Sequence, residues 1–290
     1  MEVHQLRYFA AVAAEGSFTA AAARLHVSQS GVSTQLAKLE RELGQRLFIR
    51  GRTLGLTPAG RAILPLAREA LAGLDAIART AAAFADTVRG PVRVGMVPGY
   101  TPPGFLDVVA GLGRTDPGIT LRVNEGDVAE LQHGILDRTL DIALIGYAGP
   151  LRADFVHHLV SEEELHAFAA PGIALGPSPR LAEVQRHPVL CLPPGSGIRA
   201  AYEQSCARAG IEARIDMEAS SPLTLLGLAG RGGGVAVLPS AIAAPEGITA
   251  APIEDAHVHA RLGLISHHEQ LAPAVRVVLG KLVEALSPGR

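Results

Sequence analysis

The sequence predicts an α plus α/β fold, in which a small helical head and a long helix precede a two-lobed α/β domain. Apolar residues recur at helical spacing through residues 2–88. A β-α-β-α-β alternation, typical of a parallel sheet, begins after residue 90 and occurs a second time. The length of 290 residues also exceeds one ordinary domain. We therefore expect domains over residues 1–58, 59–89 and 90–290.

Composition excludes several classes of protein. The chain is 48% hydrophobic and 19% charged, which supplies enough apolar surface for more than one core and excludes global disorder. No run approaches 18 uncharged apolar residues, and the first residues lack a basic segment followed by an apolar one. Two cysteines are too few for a disulfide framework. These features predict a cytoplasmic protein without a membrane span, signal peptide or disulfide.

Charge is distributed unevenly along the chain. Residues 1–90 carry 11 lysines and arginines against 7 acidic residues, whereas the remaining 200 residues carry 15 and 21. The basic head is consistent with binding a polyanion such as DNA. An ordinary fluctuation of charge explains the asymmetry equally well.

The head reads as three helices. A first run, residues 2–14, ends at Gly16, and the Ser17 hydroxyl can cap a second helix over residues 20–25. Ser28 can cap a third helix over residues 29–43, which Gly44 ends. That helix places four apolar residues on one face, Val32, Leu36, Leu39 and Leu43. Its opposite face is small, polar and basic.

A hairpin and a long helix follow. Residues 46–50 and 54–57 read as short strands joined by a tip that carries Arg52. Thr57-Pro58 then marks the start of a helix. Its apolar seam alternates spacings of four and three through Ile63, Ala67, Ala70, Leu74, Ile77, Ala81, Phe84 and Val88. The seam predicts homodimerisation, with packing against the chain's own body as the alternative.

Two successive α/β units follow Gly90-Pro91. Strands are predicted over 92–97, 120–123 and 140–145, with helices over 102–112 and 128–136. The second unit has strands over 166–170, 189–192, 213–217 and 235–238, with helices over 198–209 and 222–229. A late strand, 261–266, precedes a final helix, 272–286. We expect lobe I to comprise 90–160 and 267–290, lobe II to comprise 161–266, and a cleft to lie between them.

The head has the layout of a winged helix-turn-helix, which binds duplex DNA. The major groove admits one helix, so short hydrogen-bonding side chains in its first turns can reach base edges. Lys38 and the wing arginines are suited to phosphates, which position the protein without reading sequence. The predicted interface comprises Thr19, Ser28, Gln29, Ser30, Ser33, Thr34, Lys38, Arg50 and Arg52. The alternative is a small helical domain whose polar side chains only solvate its outer face.

Dense motifs over residues 2–60 carry a family resemblance. They include the segments 6–9, 16–22, 25–33 and 56–60, and looser matches follow at 140–144 and 232–239. By these residues the chain resembles the LysR-type transcriptional regulators. The resemblance implies a winged helix-turn-helix, a dimerising linker helix and a periplasmic-binding-protein-like effector domain. Ser30 and Gly31 stand where proline and alanine are common in that family.

The predicted partners follow from this reading. They are double-stranded operator DNA, a small-molecule effector and further copies of the chain as a dimer or tetramer, with RNA polymerase as a further candidate. By the same resemblance, Gln29, Ser30, Ser33 and Thr34 read the groove and Arg50 contacts the backbone from the wing.

The cleft itself is also predicted by strand topology. Ligands of open α/β sheets lie beyond the carboxyl ends of strands, where helix N-termini present N–H groups. The candidate effector residues are Gly99, Tyr100, Thr101, Tyr147, Ser196, Gly197, Arg199 and Ser221. Thr101 and Ser221 each precede a proline, so both also read as helix caps. The hydroxyl and backbone N–H donors of the candidate effector residues, together with Arg199, predict an anionic effector.

Other chemistries find less support. Gly230–Gly234 follows a helix and precedes a strand, the reverse of a dinucleotide-binding turn. No catalytic nucleophile, base or metal-ligand spacing is present in the body, so neither an enzyme nor a cofactor or metal site is predicted. The alternatives are a redox switch through Cys191 and Cys206, an enzyme fused to a DNA-binding head, and a ligand-binding module without a DNA role.

Overall fold

The computed structural model describes residues 1–49, 54–82, 88–268 and 271–287. Its chain forms two units, a first that comprises Met1–Phe84 and Asp137–Thr139 and a second that comprises Ala85–Leu136 and Leu140–Arg290. The first unit is helical with one short hairpin, and the second is α/β.

The N-terminal unit confirms the predicted order of helices and hairpin. Its elements are α1 (Val3–Glu15), α2 (Phe18–Arg24), α3 (Gln29–Leu43), β1 (Phe48–Ile49), β2 (Gly55–Leu56) and α4 (Pro58–Ala82). Apolar faces of the four helices and the hairpin form one core, in which Phe9, Val32 and Leu39 are completely buried. Strands β1 and β2 pair antiparallel, with Phe48 opposite Leu56. The tip of the predicted wing, including Arg50 and Arg52, lies outside the described residues.

The long helix α4 buries the start of its apolar face and leaves the continuation of that face exposed. Ala67 is buried and Ile63 is partly buried in the head's own core, so the start of the predicted seam packs within the chain. Leu74 and Ile77 lie on the same face as Ile63, about three and four turns further along the helix, but they are 38% and 67% exposed; Leu66, which is 63% exposed, lies beside this face. An exposed apolar stripe therefore runs along the second half of the helix.

The predicted seam extends further than the described helix. Phe84 lies outside the described residues, and Val88 is described but is not helical. The seam prediction is therefore wrong at its last position, because the chain there approaches the first strand of the second unit, which begins at Gly90.

The second unit contains two five-stranded sheets. Its elements are β3 (Gly90–Met96), α5 (Pro103–Thr115), β4 (Ile119–Glu125), α6 (Val128–Leu136), β5 (Ile142–Tyr147), β6 (Phe155–Glu163), β7 (Leu165–Ala169), α7 (Leu181–Val184), β8 (Val189–Cys191), α8 (Gly197–Arg208), β9 (Met217–Glu218), α9 (Pro222–Ala229), β10 (Val235–Pro239), β11 (Thr249–Pro252), β12 (Ala260–His267) and α10 (Pro273–Leu286). The strands order as β4-β3-β5-β12-β6 in the first sheet and β11-β7-β10-β8-β9 in the second.

Helices cover both faces of each sheet. In β5, Ile142 and Leu144 pack with α5 and α10, whereas Ala143 and Ile145 pack with α6. This explains why the strand reads as a continuous apolar run, since alternate side chains enter cores on opposite faces. The second sheet packs against α7 and α8 on one face and α9 on the other.

The predicted lobe boundary is wrong at the late strand. The sequence places residues 261–266 in lobe II, but β12 pairs antiparallel with β5 and β6 in the first sheet. The chain therefore crosses from the first sheet to the second after Glu163 and returns before Ala260. The β-α-β rule does not anticipate an antiparallel strand that returns from another lobe, and chain order alone assigned this strand to the nearer unit.

A buried ion pair ties together two strands of the first sheet. Arg93 Nε and Nη2 donate to the two carboxylate oxygens of Asp141 at 3.0 and 2.9 Å, and the Arg93 backbone N–H donates to Asp141 Oδ2 at 2.8 Å. The Asp141 side chain is only 8% exposed. This bidentate pair fixes the start of β5 against β3.

Candidate nucleic-acid interface and ligand cavity

Helix α3 presents a polar face to solvent. Ser28 Oγ accepts the Gly31 backbone N–H at 3.1 Å and caps the helix, as predicted. Leu36 and the other buried residues of α3 hold its inner face in the core of the head. The outer face is consequently fixed in orientation and open to a partner.

The described residues of the predicted DNA interface lie on this surface. Thr19, at the start of α2, is exposed, and so are five residues of α3 and its cap, namely Ser28, Gln29, Ser30, Thr34 and Lys38. Ser33 is half-buried. Their contact with DNA stays a prediction.

Glu40 is a structural residue of this interface that the sequence analysis missed. Its Oε1 accepts the backbone N–H groups of Leu47 at 2.7 Å and Phe48 at 3.3 Å. The carboxylate therefore attaches the first strand of the hairpin to α3. Its position on α3 resembles an ordinary solvated charge, and only the folded chain reveals the contact.

A cavity of about 430 Å³ lies between the two sheets of the second unit. Its walls are formed by the segments that follow β3, β4, β8 and β10, together with residues of β6 and β12. These segments follow the carboxyl ends of parallel strands, where ligands of α/β proteins bind. The volume is within the range of small-molecule sites, about 300–1,000 Å³.

Three of the eight predicted effector residues line this cavity: Tyr100, Ser196 and Gly197. The other five, Gly99, Thr101, Tyr147, Arg199 and Ser221, are not in its described wall. Gly197 lies so close to the Tyr147 backbone that a Cβ there would be 2.4 Å from the Tyr147 nitrogen. The N-terminus of α8 thus touches the end of β5, and Tyr147 belongs to this contact between the sheets.

The capping predictions have mixed outcomes. Ser196 Oγ accepts the Arg199 backbone N–H at 3.2 Å and caps α8, a role that the sequence analysis did not assign to it. Thr101 is exposed and does not cap α5, whose N-cap is Pro102. Ser221 is the N-cap of α9, but its side chain makes no capping hydrogen bond. Proline explains the first failure, since Pro102 and Pro103 shift the start of the helix by one residue.

Arg199 is engaged elsewhere. Its Nε lies 2.5 Å from Glu203 Oε1 and its Nη1 lies 2.7 Å from Glu218 Oε1. Two carboxylates neutralise the guanidinium, so the predicted contact with an anionic effector is not supported. Glu203 follows Arg199 by one helical turn, and the partnership of Glu218 arises only when β9 folds beside α8.

Carboxylates dominate the charge of the cavity wall. Glu125, Asp127 and Glu163 line it, against a single guanidinium, Arg261. Arg261 donates from Nη2 to Glu162 at 2.9 Å. Within the described wall, the electrostatics therefore oppose an anion, which is the reverse of the predicted preference.

Tyr100 lies within the field of one of these carboxylates. Burial raises the pKa of the Tyr100 phenol, and the negative charge of Glu163 raises the pKa further. The phenol is therefore neutral at physiological pH, and its ring and Glu163 occupy the same part of the cavity.

Both cysteines are buried in the core of the second lobe. Burial raises the pKa of the Cys191 thiol to about 12 and also raises the pKa of the Cys206 thiol. Gln185 Nε2 lies 3.4 Å from the Cys206 sulfur. Because the thiolate is the reactive form, this setting is that of inert structural thiols.

Thiol labelling tests this interpretation. We expect neither cysteine to react with a disulfide thiol reagent at pH 8 while the chain is folded, because a pKa of about 12 leaves about one thiol in ten thousand ionised. Both should react after unfolding in denaturant. The exposed Ser220→Cys variant is the control and should react at once. Rapid labelling of Cys191 in the folded chain would contradict the structure.

No three histidine, cysteine or carboxylate side chains gather into a metal-binding group among the described residues. None of the described helices is both long and apolar enough to cross a bilayer.

A helix-turn-helix head and a two-lobed α/β domain with a cavity define a DNA-binding regulator with a ligand-binding domain. Two family models match the chain: "Bacterial regulatory helix-turn-helix protein, lysR family" over residues 3–61 and "LysR substrate binding domain" over residues 85–287. The chain belongs to the LysR family of transcriptional regulators, which is not a family of enzymes.

Individual relatives extend over most of the chain. A "Probable hydrogen peroxide-inducible genes activator" of Mycobacterium leprae is 33% identical over 267 residues, covering 89% of this chain and 81% of the relative. The "Uncharacterized HTH-type transcriptional regulator YnfL" of Escherichia coli is 30% identical over 296 residues and covers 99% of each chain. The solved structure of full-length CbnR complexed with its target DNA is 27% identical, with a TM-score of 0.67 and 99% of both chains covered.

Proposed function

We propose that this regulator binds an operator through the outer face of α3, as a homo-oligomer, and that a small molecule in the interlobe cavity sets the strength of that binding. The observation that carries the proposal is the capped helix whose polar face is exposed while its apolar face is fixed in the core. A similar chain, CbnR, has been solved with its target DNA. We place its action in the cytoplasm, and contact with RNA polymerase stays a prediction.

Selection of duplexes from a random pool by the full chain tests the DNA part. Enrichment of one sequence with dyad symmetry is expected, because two heads of an oligomer meet two half-sites about one helical turn apart. Recovery of no preferred sequence at low salt would overturn the proposal.

Two variants should separate affinity from sequence reading. Lys38→Ala should weaken binding to all duplexes alike and reduce the log–log salt slope by about one, because it removes a phosphate contact. Gln29→Ala should cost about 1–3 kcal/mol on the selected operator only, because it removes a contact with a base edge. Fluorescence anisotropy across a salt series measures both. A change of base preference in Lys38→Ala with an unchanged slope would contradict these roles.

The cavity part needs its own test. A metabolite that binds the full chain should raise its melting temperature and shift its operator affinity together, since binding to one state must bias the equilibrium. Ser220→Phe, at an exposed position of the wall, should narrow the cavity and abolish both effects while unliganded DNA binding survives. Full retention of both effects would move the effector site elsewhere.

A peroxide response is the second candidate, because the Mycobacterium leprae relative carries that name. The buried thiols argue against it. Under our main proposal, mild peroxide leaves operator binding unchanged in the parent chain and in Cys191→Ser and Cys206→Ser. A peroxide effect that disappears in either variant would establish the second candidate instead.

A further inference from the structure

We propose that the interlobe cavity takes an organic cation, an amine on an apolar body, with Glu163 and Tyr100 as its charge-recognising residues. This inference rests on the proposed function only in taking the cavity as the effector site. It replaces the anionic ligand that the sequence predicts.

The charge of the wall is the first step. Three carboxylates and one guanidinium line the cavity, and both Nε and Nη2 of Arg261 donate to Glu162 Oε1, at 3.1 and 2.9 Å. The described wall therefore offers an incoming anion no uncommitted positive side chain. A cation meets a field of the favourable sign.

Two helix N-termini at the cavity, those of α6 and α8, are already capped from within the chain. Asp127 Oδ1 accepts the Glu130 backbone N–H at 2.8 Å at the start of α6, which places a carboxylate where an anion would otherwise bind. The Ser196 hydroxyl caps α8 in the same way, by accepting the Arg199 backbone N–H. An anionic ligand at α6 would approach the negative charge of Asp127 directly. The partial positive charge of this helix N-terminus already interacts with the Asp127 carboxylate.

Glu163 is held in place as a single fixed acceptor. Its Oε2 accepts the Ser240 hydroxyl at 2.7 Å and the Ala241 backbone N–H at 3.0 Å. Both hydrogen bonds are accepted by Oε2, so Glu163 Oε1 takes no part in either of them. Tyr100 feels the Glu163 charge, and a cation paired with that carboxylate can also lie against the aromatic ring.

Ser161 supplies a second polar group on the same strand. It lies two residues before Glu163, so both side chains project from the same side of β6, and both line the cavity. Its hydroxyl oxygen is buried and has no hydrogen-bond partner among the described residues. Such a group is costly unless something pairs with it, and an ammonium, with three donors, can satisfy both it and Glu163.

The rest of the wall selects an organic ion over a metal. Apolar residues from both lobes, Val97, Leu192, Pro193, Ile198, Pro222 and Ile242, line the same cavity. No metal-binding group of three side chains occurs in the described part of the chain. The cavity of about 430 Å³ therefore fits an amine attached to a hydrocarbon or aromatic body.

Matched ligands test this inference. Phenethylamine, 3-phenylpropionate and 2-phenylethanol share one apolar body and differ in charge, and their binding to the full chain is measured by calorimetry and thermal shift. We expect the amine to bind at least tenfold more tightly than the carboxylate. Glu163→Gln should reduce amine affinity about tenfold or more, because a charge-assisted contact is lost. Glu164→Gln removes the same charge next to it, outside the cavity wall, and should leave amine affinity unchanged.

Each outcome decides the inference. Tighter binding of the carboxylate, or equal loss in the two glutamine variants, overturns it while the cavity remains the effector site. Absence of binding by all three probes also overturns it, and the operator selection and Ser220→Phe experiments then judge the proposed function independently. Preference for the amine that depends on Glu163 and not on Glu164 establishes it.

Discussion

Ile77→Glu is expected to dissociate the oligomer and reduce operator affinity by about 10²–10⁴-fold, because one head then binds without the effective concentration supplied by its linked partner. Ile77 is 67% exposed within its own chain, so the charge should not disturb the fold of the monomer. It lies with Leu66 and Leu74 on the exposed apolar stripe of α4. Against a partner helix, the same charge would be buried without a counter-ion.

Sedimentation measures the oligomer, circular dichroism checks the fold, and anisotropy measures operator affinity. Arg61→Glu is the control, because Arg61 is exposed on the same helix but on the face opposite the stripe. It should leave the oligomer intact. An unchanged oligomer with normal operator affinity in Ile77→Glu would show that the stripe is not the interface.

Asp141→Ala is expected to remove about 3 kcal/mol of the free energy of unfolding of the second unit. The substitution leaves the Arg93 guanidinium, which is 21% exposed, without its carboxylate and also removes the acceptor of the Arg93 backbone N–H. Breaking such a pair from one side costs about 3–5 kcal/mol, and we take the lower figure because Arg93 retains some solvent. For a unit of this size, the melting temperature should fall by about 6–12 °C.

The chain offers a matched control for that experiment. Arg152 and Asp154 form the same type of pair at 2.8 Å, but their side chains are 60% and 47% exposed. Asp154→Ala should therefore cost less than about 1 kcal/mol. Chemical denaturation of both variants makes the comparison. Equal losses would show that burial does not determine the strength of the Arg93–Asp141 pair.

Local patterns in the sequence predict much of this fold. The caps at Ser17 and Ser28 and the stop at Gly44 are confirmed, because a cap depends on residues within one helical turn. Helix α6 has the predicted bounds. The continuous apolar run of β5 is likewise visible in sequence, because burial on both faces requires it.

The elements and site residues that the sequence did not predict depend on contacts between residues far apart in the chain. Strand β6 buries only Phe155 and Val160 and contains two adjacent histidines, and β11 is short and lies at a sheet edge, so neither was predicted. The cavity charge combines Glu125, Glu163 and Arg261, which are far apart in sequence. Only folding determines that Arg199 faces Glu218 while Glu163 lies on the cavity wall. For this reason the sequence alone could not predict the charge of the cavity wall.

The return of β12 to the first sheet has a mechanical consequence. The chain crosses between the lobes twice, once after Glu163 and once before Ala260, and both of these residues line the cavity. The first lobe cannot be produced as one fragment of continuous chain, because removing residues 164–259 leaves its sheet in two separate pieces, whereas all five strands of the second sheet lie within that segment. A ligand that contacts Glu163 and Ala260 would touch the two places where the chain crosses between the lobes. A small displacement of these two adjacent backbones would produce a large rotation of the second lobe relative to the first.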